Sequence, residues 1–242
     1  MNTVRRAVFG LFAAGAAAGL LASPSSAQML SVKLDSIKNG GALADQYAFC
    51  APAAQGHTKP GANINPRVSW SKGPAGTKSY AIILYDTKSP AEHRERINQE
   101  GMTLGADVAR RNFYHWVLID ILAGVTSIAK GEDSNARVVH GKPQTPSKVG
   151  LRGLNSYTVA TASNSAMAGA YFGYDGPCPP WNDELAHDYH FTVYALDTPE
   201  LAIGGGFDAA DAMAAMKGHV LAQGEAVGLY SQNPAVITKL PK

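Results

Sequence analysis

Three segments of this chain, residues 79–85, 115–121 and 189–196, are mostly apolar or aromatic at odd and even positions alike. Successive side chains of a strand point to opposite faces, so such a run leaves neither face for water. That pattern is expected of strands at the middle of a sheet covered on both sides. The runs read Ser79-Tyr-Ala-Ile-Ile-Leu-Tyr85, His115-Trp-Val-Leu-Ile-Asp-Ile121 and Tyr189-His-Phe-Thr-Val-Tyr-Ala-Leu196. Shorter β-prone stretches lie at 30–34 and 67–70. Between them run connections rich in Gly, Pro and Asn, such as Gly56-His-Thr-Lys-Pro-Gly-Ala-Asn63 and Lys72-Gly-Pro-Ala-Gly76. The succession predicts a mainly β fold, an antiparallel sandwich of Greek-key type, rather than an alternating α/β chain.

Two peripheral helices are expected. Ser89-Pro-Ala-Glu92 has the form of a capping box with proline at the first helical position, predicting a charged helix to Glu100 that stops at Gly101. It reads as a solvated surface insertion. Asp208-Ala-Ala-Asp-Ala-Met-Ala-Ala-Met-Lys217, closed by Gly218, predicts the second, with an acid at its start and a lysine at its end to suit the dipole. Residues 122–170, rich in Gly, Ser, Ala and Thr, carry few signals of either kind.

The first 27 residues belong to a different category. Arg5 and Arg6 precede an apolar run over 7–22, and small residues follow to Ser25-Ser-Ala27. This is the layout of a secretory signal peptide cut before Gln28. The apolar run falls short of the ~20 residues that span a bilayer comfortably, so an uncleaved anchor is the weaker alternative. The arginine pair invites comparison with twin-arginine export, but the residues after it match that signal poorly. The mature chain, 28–242, is expected to be exported, periplasmic or secreted, with no integral membrane span. It is long enough for one good core and reads as one domain.

Losing the leader also changes the charge. Removing Arg5 and Arg6 from 21 basic residues leaves 19, which equals the 19 acidic ones. With no basic excess, nucleic acid and anionic membrane surfaces are not expected as broad partners, and any anion recognition must be local. Cys50 and Cys178 are the only cysteines. In an oxidising compartment they can pair, although sequence separation alone leaves their distance in space open. Neither sits in a Cys-x-x-Cys or Cys/His cluster, so no metal and no cofactor are expected.

One loop stands apart. Gly176-Pro-Cys-Pro-Pro180 can neither continue a helix nor sit inside a sheet, because proline fixes φ and removes backbone donors. It leads into a strand carrying His187 and Tyr189, two apart and therefore on one face. A stiff loop beside such a pair reads either as a structural turn or as the rim of a binding site.

Taken in order, the motifs resemble the phosphatidylethanolamine-binding protein family, in particular its bacterial Raf-kinase-inhibitor-like branch. Gly61-Ala-Asn-Ile-Asn-Pro-Arg-Val-Ser-Trp70 is similar to the family's Gly-x-Asn-x-Ser-Pro…Trp entry. Residues 76–86 resemble the strand that ends in its Asp-Pro-Asp-Ala-Pro motif, and His115-Trp116 its His-Trp strand start. Gly176-Pro-Cys-Pro-Pro180 with His187-Asp-Tyr189 resembles its Gly-Pro-x-x-Pro…His-Arg-Tyr motif. Gly218-His-Val-Leu221 and Gly228-Leu-Tyr230 resemble its C-terminal strands. The resemblance implies a β-sandwich with a small pocket for an anion such as a phosphate head group. By position the pocket falls to Asp86, His115, Gly176, Pro177, His187 and Tyr189.

The chemistry of those residues fits the implied task. Imidazoles can donate to an anion, and two in one cavity would give an affinity that rises as pH falls through their pKa range. Asp86 cannot donate while ionised, so its expected part is to accept a hydrogen bond from a histidine. Gly176 would let the backbone approach a ligand with no Cβ in the way. His190 points to the opposite face from His187. His57, His93 and His140 fall in loops or the charged insertion, and His219 follows the second helix; none of these is assigned to the site.

Three departures from the family pattern bear on the rim. Lys88 stands where the motif has its second acid, and Asp188 where it has an arginine. A long connection, Trp181-Asn-Asp-Glu-Leu-Ala186, precedes His187, and the 86–115 interval is enlarged by the charged segment and Arg110-Arg111. The expected function is therefore non-enzymatic binding of a small anionic or phosphorylated ligand. The alternatives are an envelope hydrolase or lyase using His/Asp acid–base chemistry, or an inhibitor of an envelope protease. No Gly-x-Ser-x-Gly elbow, His-Glu-x-x-His or Walker loop supports the enzymatic class.

Overall fold

The computed structural model describes residues 28–35 and 37–241; the leader expected at 1–27 lies outside them. Among the described residues the strands are β1 (Gln28–Met29), β2 (Val32–Leu34), β3 (Gly41–Ala42), β4 (Cys50–Pro52), β5 (Thr58–Pro60), β6 (Val68–Trp70), β7 (Ser79–Pro90), β8 (Arg110–Leu122), β9 (Ser127–Ile128), β10 (Leu151–Arg152), β11 (His187–Leu196) and β12 (Val220–Tyr230). Three helices join them: α1 (Tyr157–Ala160), α2 (Ala209–Met216) and α3 (Pro234–Ile237). None is long and apolar enough to cross a membrane.

The three apolar runs form the centre of the main sheet, whose order is β1-β12-β11-β7-β8-β10, with β3 also on β12. β7, β8, β11 and the long part of β12 pair antiparallel, while β1 and β3 lie parallel to β12. Both faces are covered, as continuous apolar runs require. On one face Tyr80, Ile82, Leu84, Trp116, Leu118, Phe191 and Val193 pack against Leu34, Val68, Trp70 and Ile128 of the smaller β2-β6-β9 sheet. On the other, Ala81, Ile83, Val117 and Ile119 pack against Phe207 and against Ala209, Ala212 and Met216 of α2. The result is a mainly β sandwich with helices at its periphery.

The expected helix at 89–100 does not form. β7 runs on to Pro90, and the Ala91 N–H donates to the Ala109 carbonyl at 2.8 Å. Glu92, the expected capping partner, instead accepts from the Ala109 N–H at 3.2 Å. Only a 3-10 turn at Arg94–Arg96 remains, flanked by left-handed His93 (φ 54) and Asn98 (φ 58). The segment has no apolar stripe to bury, and a capping signal without one does not hold a short helix in water.

α2 forms as expected. Asp208 accepts from the Ala210 and Asp211 N–H groups, and Asp211 accepts in return from the Asp208 N–H, a capping box closed by aspartate. Elsewhere the boundaries move. The 30–34 stretch narrows to β2 at 32–34, with β1 before it in a different sheet, and β8 and β11 begin earlier than expected. Residues 122–170 are mostly turns around β9, β10 and the single turn of α1.

Candidate functional site

At one end of the main sheet, β7, β8 and β11 bring Asp86, His115, His187 and Tyr189 around a cavity of about 200 Å³. Tyr189 of β11 is registered opposite Asp86 of β7. Between β7 and β8 the register slips: Leu84 faces Trp116 but Tyr85 faces Tyr114, which leaves His115 as an extra residue. A bulge of this kind re-aims a side chain. Here Trp116 stays in the core while His115 turns among Phe113, Tyr157 and Tyr189, with ring centroids 4.9, 5.6 and 5.2 Å away.

His187 is held between two carboxylates. Its Nδ1–H donates to Asp86 Oδ2 at 2.7 Å and its Nε2–H to Asp183 Oδ2 at 3.2 Å. Both ring nitrogens face carboxylate oxygens that can accept, so both carry protons. Burial alone would depress this imidazolium, yet the charges and hydrogen bonds of Asp86 and Asp183 together raise its pKa to about 9. Asp183 also receives both Nη groups of Arg110, the second at 3.1 Å. Burial opposes its ionisation, but the bonds from His187 and Arg110 hold it below the usual carboxylate range. The other Asp86 oxygen accepts from the Lys88 N–H at 2.6 Å.

His115 is set up in the opposite sense. Its Nδ1 lies 2.8 Å from the Asp175 carbonyl, which can only accept, so Nδ1 carries the proton. Burial pushes its pKa down to about 4, against the pull of Asp86 and of nearby backbone carbonyls. At neutral pH it is an uncharged ring whose Nε2 is a hydrogen-bond acceptor. Two histidines in one cavity thus have pKa values driven apart, which corrects the expectation of two similar titrating donors. Tyr189 is fully buried and its hydroxyl has no partner among the described residues.

Gly176 and Pro177 stand behind the wall rather than on it. A Cβ on Gly176 would lie 1.9 Å from the Tyr47 carbonyl oxygen, so glycine is needed there for packing rather than for ligand approach. Its N–H donates to Asn63 Oδ1 (2.8 Å) and its carbonyl accepts from the Tyr157 hydroxyl (2.8 Å). The Pro177 carbonyl accepts from the Phe49 and Cys50 N–H groups, 2.8 and 3.1 Å away. The loop reaches the cavity instead through Cys178, Pro179 and Pro180. Cys178 is bonded to Cys50, their Cα atoms 4.7 Å apart.

The two enlarged segments meet at the mouth. Asn182 donates through Nδ2 to the Arg96 and Met102 carbonyls at 2.8 and 3.0 Å, and its Oδ1 accepts from the Asn98 N–H at 3.0 Å. His57 stacks on Trp181 at 3.8 Å and bonds to Glu100, adding a tie from the β4-β5 hairpin. Arg94 and Arg111 both line the cavity. Sequence reasoning missed Asp183, Arg94, Arg110 and Arg111. The last three were visible only as charge in the insertion, and Asp183 only as an acid in an irregular connection.

Two further departures also meet. Lys88 Nζ lies 3.7 Å from Asp188 Oδ2, and the Thr87 hydroxyl donates to Asp188 Oδ1. An acid and an arginine in the family pattern are here a lysine and an acid, with the signs exchanged. Of the other histidines, His190 stacks on Tyr85 and bonds to Glu225, away from the cavity, and His219 bonds to Asp197.

A sequence model of the phosphatidylethanolamine-binding protein family matches residues 33–231, and the chain belongs to that family. A UPF0098 protein of Aquifex aeolicus is 27% identical over 226 residues, covering 93% of this chain and 95% of that protein. A UPF0098 protein of Pyrococcus horikoshii is 31% identical over 176 residues, 73% of this chain and 69% of its own. Among solved structures, that of Escherichia coli YbcL, described as a member of the mammalian PEBP family, superposes with a TM-score of 0.58 at 22% identity. It covers 84% of this chain and 99% of that one, and at this identity the likeness speaks for the fold alone.

Proposed function

We propose that this protein is exported and binds a small anionic or phosphorylated ligand in the cavity between β7, β8 and β11, without transforming it. The observation that carries this is a fully buried Tyr189 hydroxyl, unpartnered among the described residues, on a cavity of about 200 Å³ that also has two arginines in its lining. Buried hydroxyls almost always have partners, so one left over beside a cavity points to a group that belongs there. The family name, and the implied head-group pocket, point the same way. Binding is favoured over turnover because neither histidine is poised as a base near neutrality: His187 is protonated at both nitrogens, and His115 has a pKa of about 4. Export is supported by the leader-like start and by the Cys50–Cys178 disulfide, which suits an oxidising compartment.

Calorimetric titration of residues 28–242 with O-phosphoethanolamine and inorganic phosphate tests the assignment. Saturable binding is expected, weakened roughly three- to tenfold in Tyr189→Phe, which removes only the hydroxyl. Binding that Tyr189→Phe leaves unchanged places the ligand elsewhere. Phosphoester hydrolysis abolished by His115→Asn would establish the enzymatic alternative instead.

A further inference from the structure

Residues 122–170 carry few signals in the sequence, yet they supply partners for two buried ion pairs. Arg152 Nε lies 2.6 Å from Asp133 Oδ1, and Lys142 Nζ lies 2.8 Å from Asp175 Oδ1. Desolvation offsets much of the attraction in a buried pair, so its best-attested use is to fix one arrangement. Here both pairs close on the same few backbone groups. Asp133 Oδ2 accepts from the Tyr174 N–H at 3.1 Å, and Lys142 donates to the Tyr174 carbonyl at 2.7 Å. The Asp175 carboxylate also accepts from Asn63 Nδ2 at 2.7 Å and from Asn155 Nδ2 at 2.9 Å. Asn63 then takes the Gly176 N–H on its Oδ1 at 2.8 Å.

Asp175 in turn brackets His115. Its N–H donates to the His115 carbonyl and its own carbonyl accepts from His115 Nδ1–H, both at 2.8 Å. A neutral imidazole has one donor and one acceptor nitrogen, and the partner of one decides the role of the other. The backbone oxygen that settles this for His115 belongs to a residue whose side chain is held by Lys142. Burial raises the pKa of Asp175, and Lys142 is foremost among the groups that oppose the rise. The ammonium is therefore what favours a carboxylate at this depth.

We propose that Lys142 is a positioning residue for the cavity: through Asp175 it holds the Tyr174–Gly176 backbone beside His115, and so fixes that ring with its proton on Nδ1 and its Nε2 lone pair free to accept. Lys142 does not line the cavity itself, whereas His115 does. The role deepens the binding assignment above and rests on it for its purpose; the geometry is present without a ligand. Methionine in place of Lys142 keeps most of the bulk but leaves the carboxylate without its cation and the Tyr174 carbonyl without its donor.

Long-range 1H–15N NMR spectra of the histidine rings, recorded on residues 28–242 without ligand near neutral pH, read the tautomer directly. The wild type is expected to show His115 as the Nδ1–H form. Lys142→Met should shift a substantial share to the Nε2–H form and raise the His115 midpoint from about 4 toward the ordinary value of about 6.5. The midpoint would respond to the lost charge alone, so the tautomer decides. Lys142→Gln keeps two N–H donors but no charge; it should shift in the same direction and serves if the methionine variant does not fold. Ile83→Ala, destabilised in the core against α2, should keep the wild-type tautomer. A wild-type ring in the Nε2–H form, or a folded Lys142 variant that stays Nδ1–H, overturns the assignment. So does an Ile83→Ala ring that shifts as the Lys142 variants do. Calorimetry with O-phosphoethanolamine reports separately: no binding by the wild type overturns the anion-binding assignment, while the tautomer still decides the tie between Lys142 and His115.

Discussion

Between Asp86 and Asp183, the His187 ring turns a pair of buried acids into a stable salt-bridged group, and its titration is the most direct handle on the site. Its folded pKa of about 9 lies above the ordinary 6.5, so the proton favours the fold. The contribution is complete below about pH 6.5 and is lost as pH rises through about 9. His115 has the opposite sign: with a folded pKa of about 4, it costs stability as pH falls from about 6.5 toward 4, where only the unfolded chain takes the proton. The stability advantage of wild type over His187→Gln, measured by urea denaturation, should therefore shrink by on the order of 3 kcal/mol between pH 6 and 9, the shift to about 9 setting the scale. A constant difference would overturn the clamp of two carboxylates. NMR titration of the wild-type ring, expected to remain an imidazolium through about pH 8, gives a check that does not depend on the variant folding. At this scale the sequence showed Asp86 as the acceptor for a histidine, through the motif order that the family resemblance supplied. Asp183 was not legible: it lies four residues before His187 in a connection with no periodicity, and such spacing fixes a direction only within a regular helix or strand.

Among the elements, the insertion between β7 and β8 is the one whose sequence and structure diverge most. Ser89-Pro-Ala-Glu92 satisfies the local rules for a helix start, but local signals are weak where no apolar face can be buried, and ladder-like bonds to Ala109 prevail. The actual form of the segment depends on Asn182, whose amide bridges the Arg96 and Met102 carbonyls and the Asn98 N–H. Asn182→Ala leaves those groups without their partner, and is expected to cost about 1–3 kcal/mol locally. Hydrogen exchange should show the Asn98 amide losing protection while β7 and β11 amides keep theirs. Unchanged protection at Asn98 would mean that the insertion is held by other contacts. The bulge at His115 was equally invisible, since a bulge is a property of two paired strands and a sequence presents one at a time.

For the whole molecule, three apolar runs sufficed to place the main sheet and its two covered faces, because burial on both sides leaves no other arrangement for them. The short strands β1, β3, β9 and β10 had no such signature; they are defined by their partners across the sheets. The pairing of Cys50 with Cys178 was likewise a matter of distance, and it closes a loop of 128 residues between the β4-β5 hairpin and the Gly-Pro loop. A Cys50→Ser/Cys178→Ser variant should lose about 2–5 kcal/mol of stability in urea denaturation, because a long loop is freed in the unfolded chain. A loss under about 0.5 kcal/mol would show that the hydrogen bonds from Phe49 and Cys50 to Pro177 hold these segments without the covalent link.

The contact between Lys88 and Asp188 changes what a family pattern should be taken to record. Scored letter by letter, both positions count against membership. Scored as a pair, they keep the one quantity that electrostatics constrains, the near-cancellation of two neighbouring charges. A single reversion, Lys88→Asp or Asp188→Arg, would bring the chain nearer to the pattern as text and set like charges side by side. Kinship in this fold is then better written in terms of sums over neighbours than of letters at positions.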